Sequence, residues 1–407
     1  MFKTASGEEI FVIDGHVHNW NATKANQKNL HGEQFINCFF AYHSFLSPKE
    51  KLWTREKFDQ YGGEQLYQDL FVDGPDDMAI FQPTYLTDFY VNGFNTTEQN
   101  AVLKAQHPNR FILNGAFDPR DEAAGLAKFE ELVATHKLKG VKLYTAEWKG
   151  ASRGYKLSDP WAEKYLALAE RLGVKNIHVH KGPTILPLDR DAFDVADIDI
   201  AATNFQGLNF IVEHCGLPRL DDFCWIATQE TNVYGGLAVA LPFIQKQPKY
   251  FAHVLSQLLM WLGPDKLLYG SDYGIWTPDW MVKAFMAFEL PADIVAETGA
   301  VLDLEAKKKI LGLNAARLYD VDVAAQKKLL ASSREAELAT ANRTRPPRRT
   351  ATALRRCARR SLRCATPSWM SRSSSSVSSR RSMSMRRVAS TSRFACQRTG
   401  ARPISRS

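Results

Sequence analysis

The segment that decides the fold reads FVIDGHVH, residues 11–18, where an apolar run leads into two histidines, His16 and His18. A short apolar run of this kind predicts a buried strand. Residues i and i+2 of a strand point to the same face, so both imidazoles are expected to project together from the strand's C-terminal end. Two neutral imidazoles side by side suit a divalent transition metal, although such a pair also occurs as plain polar residues.

Further short apolar runs follow along the chain, and stretches with helical periodicity separate them. In the segment 160–173 the apolar residues recur at helical spacing, Pro160 stands in the first turn and Gly173 is a stop signal. Eight strands that alternate with helices predict an α/β fold, a (β/α)8 TIM barrel. A doubly wound sheet also alternates, but polar residues at almost every strand end favour the barrel. The other seven strand candidates lie at residues 76–83, 110–117, 138–144, 176–180, 209–214, 232–239 and 266–272.

Residues 19–74, which we call the cap insertion, separate the first two predicted strands and are rich in aromatic residues. At the catalytic rim of a barrel, an aromatic insertion of this kind is expected to cover the site. An ordinary helical decoration is the alternative interpretation of any one of its residues. The aromatic residues are Phe35, Phe39, Phe40, Tyr42, Phe45, Trp53, Phe58 and Tyr61.

The composition predicts a soluble cytoplasmic protein without a membrane partner. Hydrophobic residues make up 45% of the chain, which is enough for a large core. No run of about 18 apolar residues occurs, and residues 1–9 lack the basic-then-apolar order of a signal peptide. The six cysteines form no C-x-x-C pair, which suits free thiols in a reducing compartment.

Residues 338–407 differ from the rest of the chain in charge. They hold 18 arginines and no lysine, aspartate or glutamate, so the net charge of +8 conceals ten net negative charges in residues 1–337. This composition predicts a segment read in a shifted frame; a native tail without a specific role and a nucleic-acid-binding segment are the alternatives. We therefore predict a barrel domain over 1–330, a disordered Arg/Ser-rich tail over 331–407, and no nucleic-acid partner for the acidic body.

Three more polar residues stand at predicted strand ends. His180 ends the fifth strand, His214 the sixth and Asp272 the eighth. A lone histidine at a strand end is usually a satisfied hydrogen-bonding group. Four histidines and one aspartate at the rim of one barrel instead predict a metal site.

With these motifs the chain resembles the amidohydrolase superfamily, and within it the amidohydrolase-related branch. That branch includes aminocarboxymuconate-semialdehyde decarboxylase and the resorcylate decarboxylases. The resemblance covers about residues 10–320 and starts from the H-x-H pair and the strand-five histidine. Its other motifs are GVKL at 140–143, HCG at 214–216, GSD at 270–272 and GLNAARLY at 312–319.

The resemblance implies that His16, His18, His180 and Asp272 hold one divalent metal ion, with zinc as first choice and Mn²⁺ or another divalent ion as the alternative. It also implies that His214, together with Asp272, moves protons beside the metal, and that the chain forms a homodimer. Three imidazoles and one carboxylate leave a metal position open for water or substrate. An imidazole exchanges protons near neutral pH, which suits acid–base work.

Four neighbours of these residues have separate expectations. Lys142, on the fourth strand, corresponds to the carbamylated lysine that bridges two metals in binuclear members, which is the main alternative to a single metal. His178 faces inward like His180 but lies deeper in the barrel, and is expected to be a layer residue or to support a ligand from behind. Glu213 and Lys181 are expected, by strand alternation, to point away from the metal.

Two reactions remain open at this point. The resemblance favours non-oxidative decarboxylation, a C–C cleavage, of an aromatic or unsaturated carboxylic acid. The alternative is metal-dependent hydrolysis of an amide, ester or lactone, and a non-catalytic metal-binding protein is a third interpretation. Tyr144, Trp148, Trp276 and His43 predict a flat small-molecule substrate. A surface salt bridge is expected for Arg55 and Arg120, with a carboxylate clamp as the alternative.

Overall fold

The computed structural model describes residues 1–332, and its centre is a ring of parallel strands. A short antiparallel hairpin, Phe2–Lys3 with Glu9–Ile10, precedes them. Each strand is short and buried on both faces, as expected of strands enclosed by helices. The strands are β1 (Ile13–Val17), β2 (Met78–Phe81), β3 (Phe111–Leu113), β4 (Gly140–Leu143), β5 (Asn176–His180), β6 (Asn209–Glu213), β7 (Val233–Gly236) and β8 (Leu267–Leu268).

The strands pair in sequence order, β1 to β3 in one sheet and β4 to β8 in another. Parallel bridges join the two sheets at both edges, between Gly115 and Val141 on one side and between Val17 and Tyr273 on the other. Backbone hydrogen bonds reinforce the second junction, since Gly15 N donates to Tyr269 O at 2.9 Å and His18 N to Tyr273 O at 2.6 Å. The predicted (β/α)8 barrel is therefore confirmed.

Helices follow the strands and cover the outside of the barrel. The predicted helix over 160–173 is observed with Pro160 at its first position, and Gly173 follows it with φ +75°. The helices are α1 (Leu30–Leu46), α2 (Arg55–Asp59), α3 (Gly63–Tyr67), α4 (Thr97–Gln106), α5 (Glu122–His136), α6 (Pro160–Arg171), α7 (Ala196–Asn204), α8 (Leu220–Gln229), α9 (Phe243–Lys246), α10 (Pro248–Leu262), α11 (Pro278–Ala287), α12 (Ala292–Thr298), α13 (Leu304–Lys308) and α14 (Asn314–Leu318). Wider π-turns, Gln68–Val72 and Lys309–Leu313, extend α3 and α13, and residues 323–332 are also helical.

The interior of the barrel holds its own apolar cluster, below the rim where the polar residues lie. Ile13, Ile80, Ile211 and Leu268 meet there, and Tyr319 after α14 closes the bottom. The register of β1 shifts between Asp14 and Val17, which is the signature of a bulge. Because of this bulge, Ile13 and the later His16 both face the interior.

The aromatic-rich insertion after the first strand, part of the predicted fold class, is confirmed. It contains α1 to α3, and its aromatic residues pack around Trp20, whose Nε1 donates to Phe58 O at 2.7 Å. Tyr61 OH donates to His18 O at 2.9 Å, so the insertion is fixed directly to the end of β1.

The domain bounds at 330 and 331 remain predictions, and residues 333–407 of the predicted basic tail lie outside the described residues. Within residues 1–332, every helix is too short or too polar to span a lipid bilayer.

Candidate metal centre

His16, His18 and Asp272 converge at the C-terminal end of the barrel. One potential ligand atom from each lies within 4.8 Å of the other two, and all three side chains are buried. Asp272 Oδ1 is 3.2 Å from His18 Nε2 and 3.9 Å from His16 Nε2. Two imidazoles and a carboxylate at this spacing form a chemically suitable set for a divalent transition metal.

A buried carboxylate, Asp14, holds the two ligand-bearing segments together. Its Oδ1 accepts from His16 N at 3.0 Å and from Ser271 N at 2.9 Å. One oxygen thus links the end of β1 to the loop after β8, in which Asp272 has a left-handed backbone with φ +58°. The sequence analysis missed this role, although an aspartate two residues before the first histidine was a readable signal.

His180 and His214 lie beside this group rather than within it. His214 Nδ1 is 3.0 Å from Ala238 O, and a carbonyl only accepts, so His214 carries its proton on Nδ1. His214 Nε2 then accepts from His180 Nδ1, 3.0 Å away. The lone pair of His180 Nε2 therefore points into the protein interior, where this atom has no hydrogen-bond partner.

The orphaned Nε2 of His180 is the observation that tests whether a metal fits. A buried polar atom without a partner is unfavourable by about 1–3 kcal/mol, and a bound ion is one explanation for it. His180 lines the same cavity as the three converging residues. The four predicted ligands therefore fit a metal site, with His180 as its outer member.

His18 requires one rearrangement for this role. Asn95 Nδ2 lies 3.0 Å from His18 Nδ1 and donates to it, which leaves the ring proton on Nε2 facing Asp272. A metal at Nε2 requires that proton to move to Nδ1 and the Asn95 amide to turn over. Asn95 lies in the loop after β2, and nothing in the sequence pointed to it.

Burial and the neighbouring charges set the protonation of the site. Burial lowers the pKa of His16 to about 3 and the pKa of Lys142 to about 8. Burial raises the pKa of Asp272, but His16 and His18 outweigh this effect and lower it overall. Neutral imidazoles and an ionised carboxylate at pH 7 are the forms that bind metal.

Lys142 lies against the site as the sequence predicted for β4. Its Nζ is 3.1 Å from His16 Nε2, and the side chain is buried. His178 lies below, with Nε2 2.8 Å from Tyr319 OH. Lys181 points away and forms an ion pair with Asp197 at 2.8 Å.

The prediction for Glu213 was wrong. Its carboxylate points into the barrel, 2.8 Å from His16 Nδ1 and 2.6 Å from His178 Nδ1. The reason is the backbone of His214, whose φ of +63° ends the strand alternation. Two consecutive residues therefore both face inward.

A small, mostly apolar cavity opens next to the polar group. Phe39 and Tyr42 of α1 line it, which places the cap insertion over the site, and Tyr144 contributes its ring and a buried hydroxyl without a partner. Tyr144 also packs on His180, with ring centroids 4.4 Å apart.

The other predicted substrate contacts do not line this cavity. Trp148, Trp276 and His43 pack elsewhere, and His43 connects the cap insertion to the loop after β8 by a 2.7 Å contact between Nδ1 and Ile275 O. Arg55 pairs with Asp59 at 2.5 Å and Arg120 with Asp118 at 2.7 Å, so each forms the expected salt bridge.

The fold and the site together define a TIM-barrel protein with a buried histidine–aspartate centre at its C-terminal rim. The family model for amidohydrolases matches residues 13–321. The chain therefore belongs to the amidohydrolase family, whose members are enzymes and generally bind a divalent metal. A comparison with curated proteins finds no match.

Two solved structures agree on the fold, and a third is also similar. An uncharacterized TIM-barrel protein from Bordetella bronchiseptica is 16% identical with a TM-score of 0.58, covering 77% of this chain and 99% of its own. An amidohydrolase from Burkholderia multivorans is 14% identical with a TM-score of 0.50, covering 76% and 99%. The 2,6-dihydroxybenzoate decarboxylase from Rhizobium is 15% identical with a TM-score of 0.49, covering 77% and 100%.

Proposed function

We propose that this chain is a zinc-dependent enzyme that decarboxylates an aromatic or unsaturated carboxylic acid without an oxidant. The observation that carries the proposal is the unpaired Nε2 of His180 beside the converged His16, His18 and Asp272, at the polar end of an apolar cavity. In this proposal those four residues hold the metal. When bound, the metal polarises the substrate's carboxylate and an adjacent oxygen.

The apolar wall of the cavity binds and orients the substrate. Phe39, Phe94 and Tyr144 present ring surfaces that match a flat substrate and exclude water. The buried hydroxyl of Tyr144 donates a hydrogen bond to a substrate oxygen. No arginine lines the cavity among the described residues, so a substrate with one acidic group at the polar end fits best.

His214 is proposed to move the proton. The carbon that loses CO2 must gain a proton, and His214 lies at the polar end of the cavity, with its ring centroid 5.3 Å from that of His16. Burial lowers the pKa of His214, which makes its protonated form a stronger acid. In the structure its Nε2 faces His180, so the ring must turn toward the substrate to act.

Lys142 favours hydrolysis as the second candidate function. Its buried amine lies 3.1 Å from His16 Nε2 and has a pKa lowered to about 8, so the neutral amine that reacts with CO2 is readily formed. A carbamate at Lys142 would add a carboxylate-like ligand for a second metal. Hydrolysis of an amide, ester or lactone by metal-activated water is the chemistry of such a pair.

The first experiment measures the metal content of the full chain, with His16→Ala as the control. One zinc per chain that is lost in the variant supports the proposed site and leads to a screen of aromatic carboxylic acids for CO2 release. Two metals per chain would shift the proposal to hydrolysis. A chain that takes up no divalent metal would overturn both.

A homodimer and a cytoplasmic location complete the proposal. The homodimer rests on the sequence resemblance, and sedimentation of the full chain tests it. The cytoplasmic location rests on the composition, and fractionation of cells tests it.

A further inference from the structure

We propose that Glu213 is a positioning residue for the metal centre: it fixes the protonation of His16 so that His16 Nε2 is free to bind the metal. The inference rests on the proposed function, since it concerns the same site. It starts from the feature that strand alternation predicted wrongly.

The carboxylate of Glu213 contacts two imidazoles at once. Oε2 is 2.8 Å from His16 Nδ1 and Oε1 is 2.6 Å from His178 Nδ1. The side chain is 2% exposed, so water does not compete for either oxygen. A buried carboxylate is stable only when its oxygens are paired in this way.

The contact favours one nitrogen of His16 for the proton. Glu213 Oε2 lies 2.8 Å from His16 Nδ1 without forming a hydrogen bond in the structure. An ionised carboxylate only accepts hydrogen bonds and repels a lone pair, so the proton of a neutral His16 is favoured on Nδ1. Its Nε2 keeps the lone pair, and this atom faces Asp272 and lies 3.1 Å from Lys142 Nζ. A carboxylate behind a histidine fixes the ring orientation of a metal ligand and increases its basicity.

The backbone makes room for this carboxylate. The left-handed φ of +63° at His214 turns Glu213 and His214 to the same side. On the neighbouring strand β7, a Cβ atom at position 236 would overlap Glu213 Oε2, and that position is Gly236. The glycine leaves space in which the carboxylate reaches His16.

A circuit of polar contacts holds Glu213 from behind. His178 Nε2 lies 2.8 Å from Tyr319 OH, and Tyr319 OH lies 2.9 Å from Asn114 Oδ1. Asn114 Nδ2 donates to Gln82 Oε1 at 3.2 Å, and Gln82 Nε2 donates to Gly15 O at 2.7 Å. Gly15 precedes His16, so the circuit returns to the residue it positions.

The test uses Glu213→Leu, which removes both acceptors, and Glu213→Gln, which keeps the shape and one acceptor oxygen. Glu230→Gln is the matched control, because Glu230 is also buried but its carboxylate accepts from Thr203 and Gln206. Zinc dissociation constants are measured by competition with a chromophoric chelator, and thermal unfolding of the metal-free proteins is recorded alongside.

We expect Glu213→Leu to weaken zinc binding about 10–100-fold and Glu213→Gln to weaken it less, while Glu230→Gln stays within about twofold. Gly236→Ala, which displaces the carboxylate without removing it, is expected to weaken zinc binding in the same direction. Unchanged zinc affinity in the Glu213 variants, with only a lower unfolding temperature, would show a purely structural role and overturn the inference.

A second measurement separates this inference from the proposed function. In the metal-free full chain, the ¹⁵N shifts of the His16 ring report which nitrogen is protonated. We expect the Nδ1–H form, and a mixture of forms in Glu213→Leu. A chain that fails to bind zinc yet shows this change would overturn the proposed metal site and leave only the effect of Glu213 on the His16 proton. A His16 proton on Nε2 in the unsubstituted chain would overturn the positioning role.

Discussion

The ends of β1 and β6 each deliver two functional side chains, but by different means. At the end of β1, His16 and His18 are separated by Val17, which packs in the outer core. At the end of β6, Glu213 and His214 are adjacent in sequence and both face inward. The first pair follows from strand alternation, and the second follows from a left-handed backbone at His214.

The difference teaches that alternation holds only while the backbone stays extended. One left-handed residue at a strand end rotates the next side chain to the same side of the sheet. Such a conformation is uncommon for a residue other than glycine and is unfavourable by about 1–3 kcal/mol. His214 and Asp272 both adopt it, so two of the five proposed site residues depend on backbone that the sequence pattern does not reveal.

The largest expected effect is on zinc binding, where the end of β1 meets the loop after β8. Asp272→Asn removes the only charge among the proposed ligands, and we expect zinc affinity to fall by more than about 100-fold, with CO2 release below detection. Metal analysis and the chelator competition measure this. Asp279→Asn, in the first turn of α11, is the control because Asp279 pairs with Lys51. Full zinc binding by Asp272→Asn would remove Asp272 from the site.

The second prediction tests whether the end of β6 moves the proton while the end of β1 holds the metal. His214→Gln keeps an acceptor for His180 Nδ1, so zinc is expected to stay bound. Loss of the proton donor should lower the rate of CO2 release by about 10²–10⁴-fold. Zinc content and kcat are measured on the same preparation. If the variant loses zinc, and added zinc restores both the zinc content and the activity, His214 helps to hold the metal and does not move the proton.

The third prediction displaces His214 without replacing it. A Cβ atom at Gly182 would lie within 3 Å of the His214 ring. Gly182→Ala is expected to lower kcat by up to about 100-fold. The zinc affinity, to which the β1 histidines contribute, is expected to stay unchanged. Gly62→Ala is the control, because a Cβ atom there has no neighbour within 4 Å. If Gly62→Ala lowers kcat as much as Gly182→Ala, the loss does not come from contact with the His214 ring.

The fourth prediction concerns the apolar wall. Tyr144→Phe removes a buried hydroxyl that has no partner in the protein. We expect KM for the acid to rise about 2–10-fold, the effect of one hydrogen bond, with kcat nearly unchanged. Zinc content is the control measurement. A KM that does not move would place the substrate away from Tyr144.

The smallest expected effect is on the pH dependence of the free energy of unfolding. It concerns Glu147, a carboxylate at the rim without an imidazole partner among the described residues. Burial raises the pKa of Glu147 to about 7, whereas the histidines lower that of Asp272. Between about pH 4.5 and 7 the folded chain keeps a proton on Glu147 that the unfolded chain has released, so stability falls as pH rises through this window.

Urea unfolding at several pH values measures this effect, with Glu147→Gln as the comparison. The variant lacks the titration, so the stability difference between the two proteins should change between pH 4.5 and 7 and stay constant above pH 7. A difference that stays constant over the whole range would show that Glu147 titrates normally.

Much of the fold could be predicted from the sequence, because apolar runs and helical faces alternate eight times and each run is short. The end of β1 was equally readable, since two histidines two residues apart share a face of any strand. The family motifs indicated His180 and Asp272 as site residues, and both line the cavity at the rim in the structure. The pattern missed Asp14 and Asn95, and for Glu213 the alternation rule gave the wrong face.

The sequence by itself determined the barrel, the amidohydrolase family and the side chains that stand at the rim, because these depend on local periodicity and on residue identity. Only the tertiary structure decided which atoms meet: Asp14 linking β1 to the loop after β8, Asn95 behind His18, and the carboxylate of Glu213 behind His16. The physical reason is that these contacts join residues far apart in the chain through backbone turns and a bulge. Their geometry is set by packing across the whole barrel and by no local pattern.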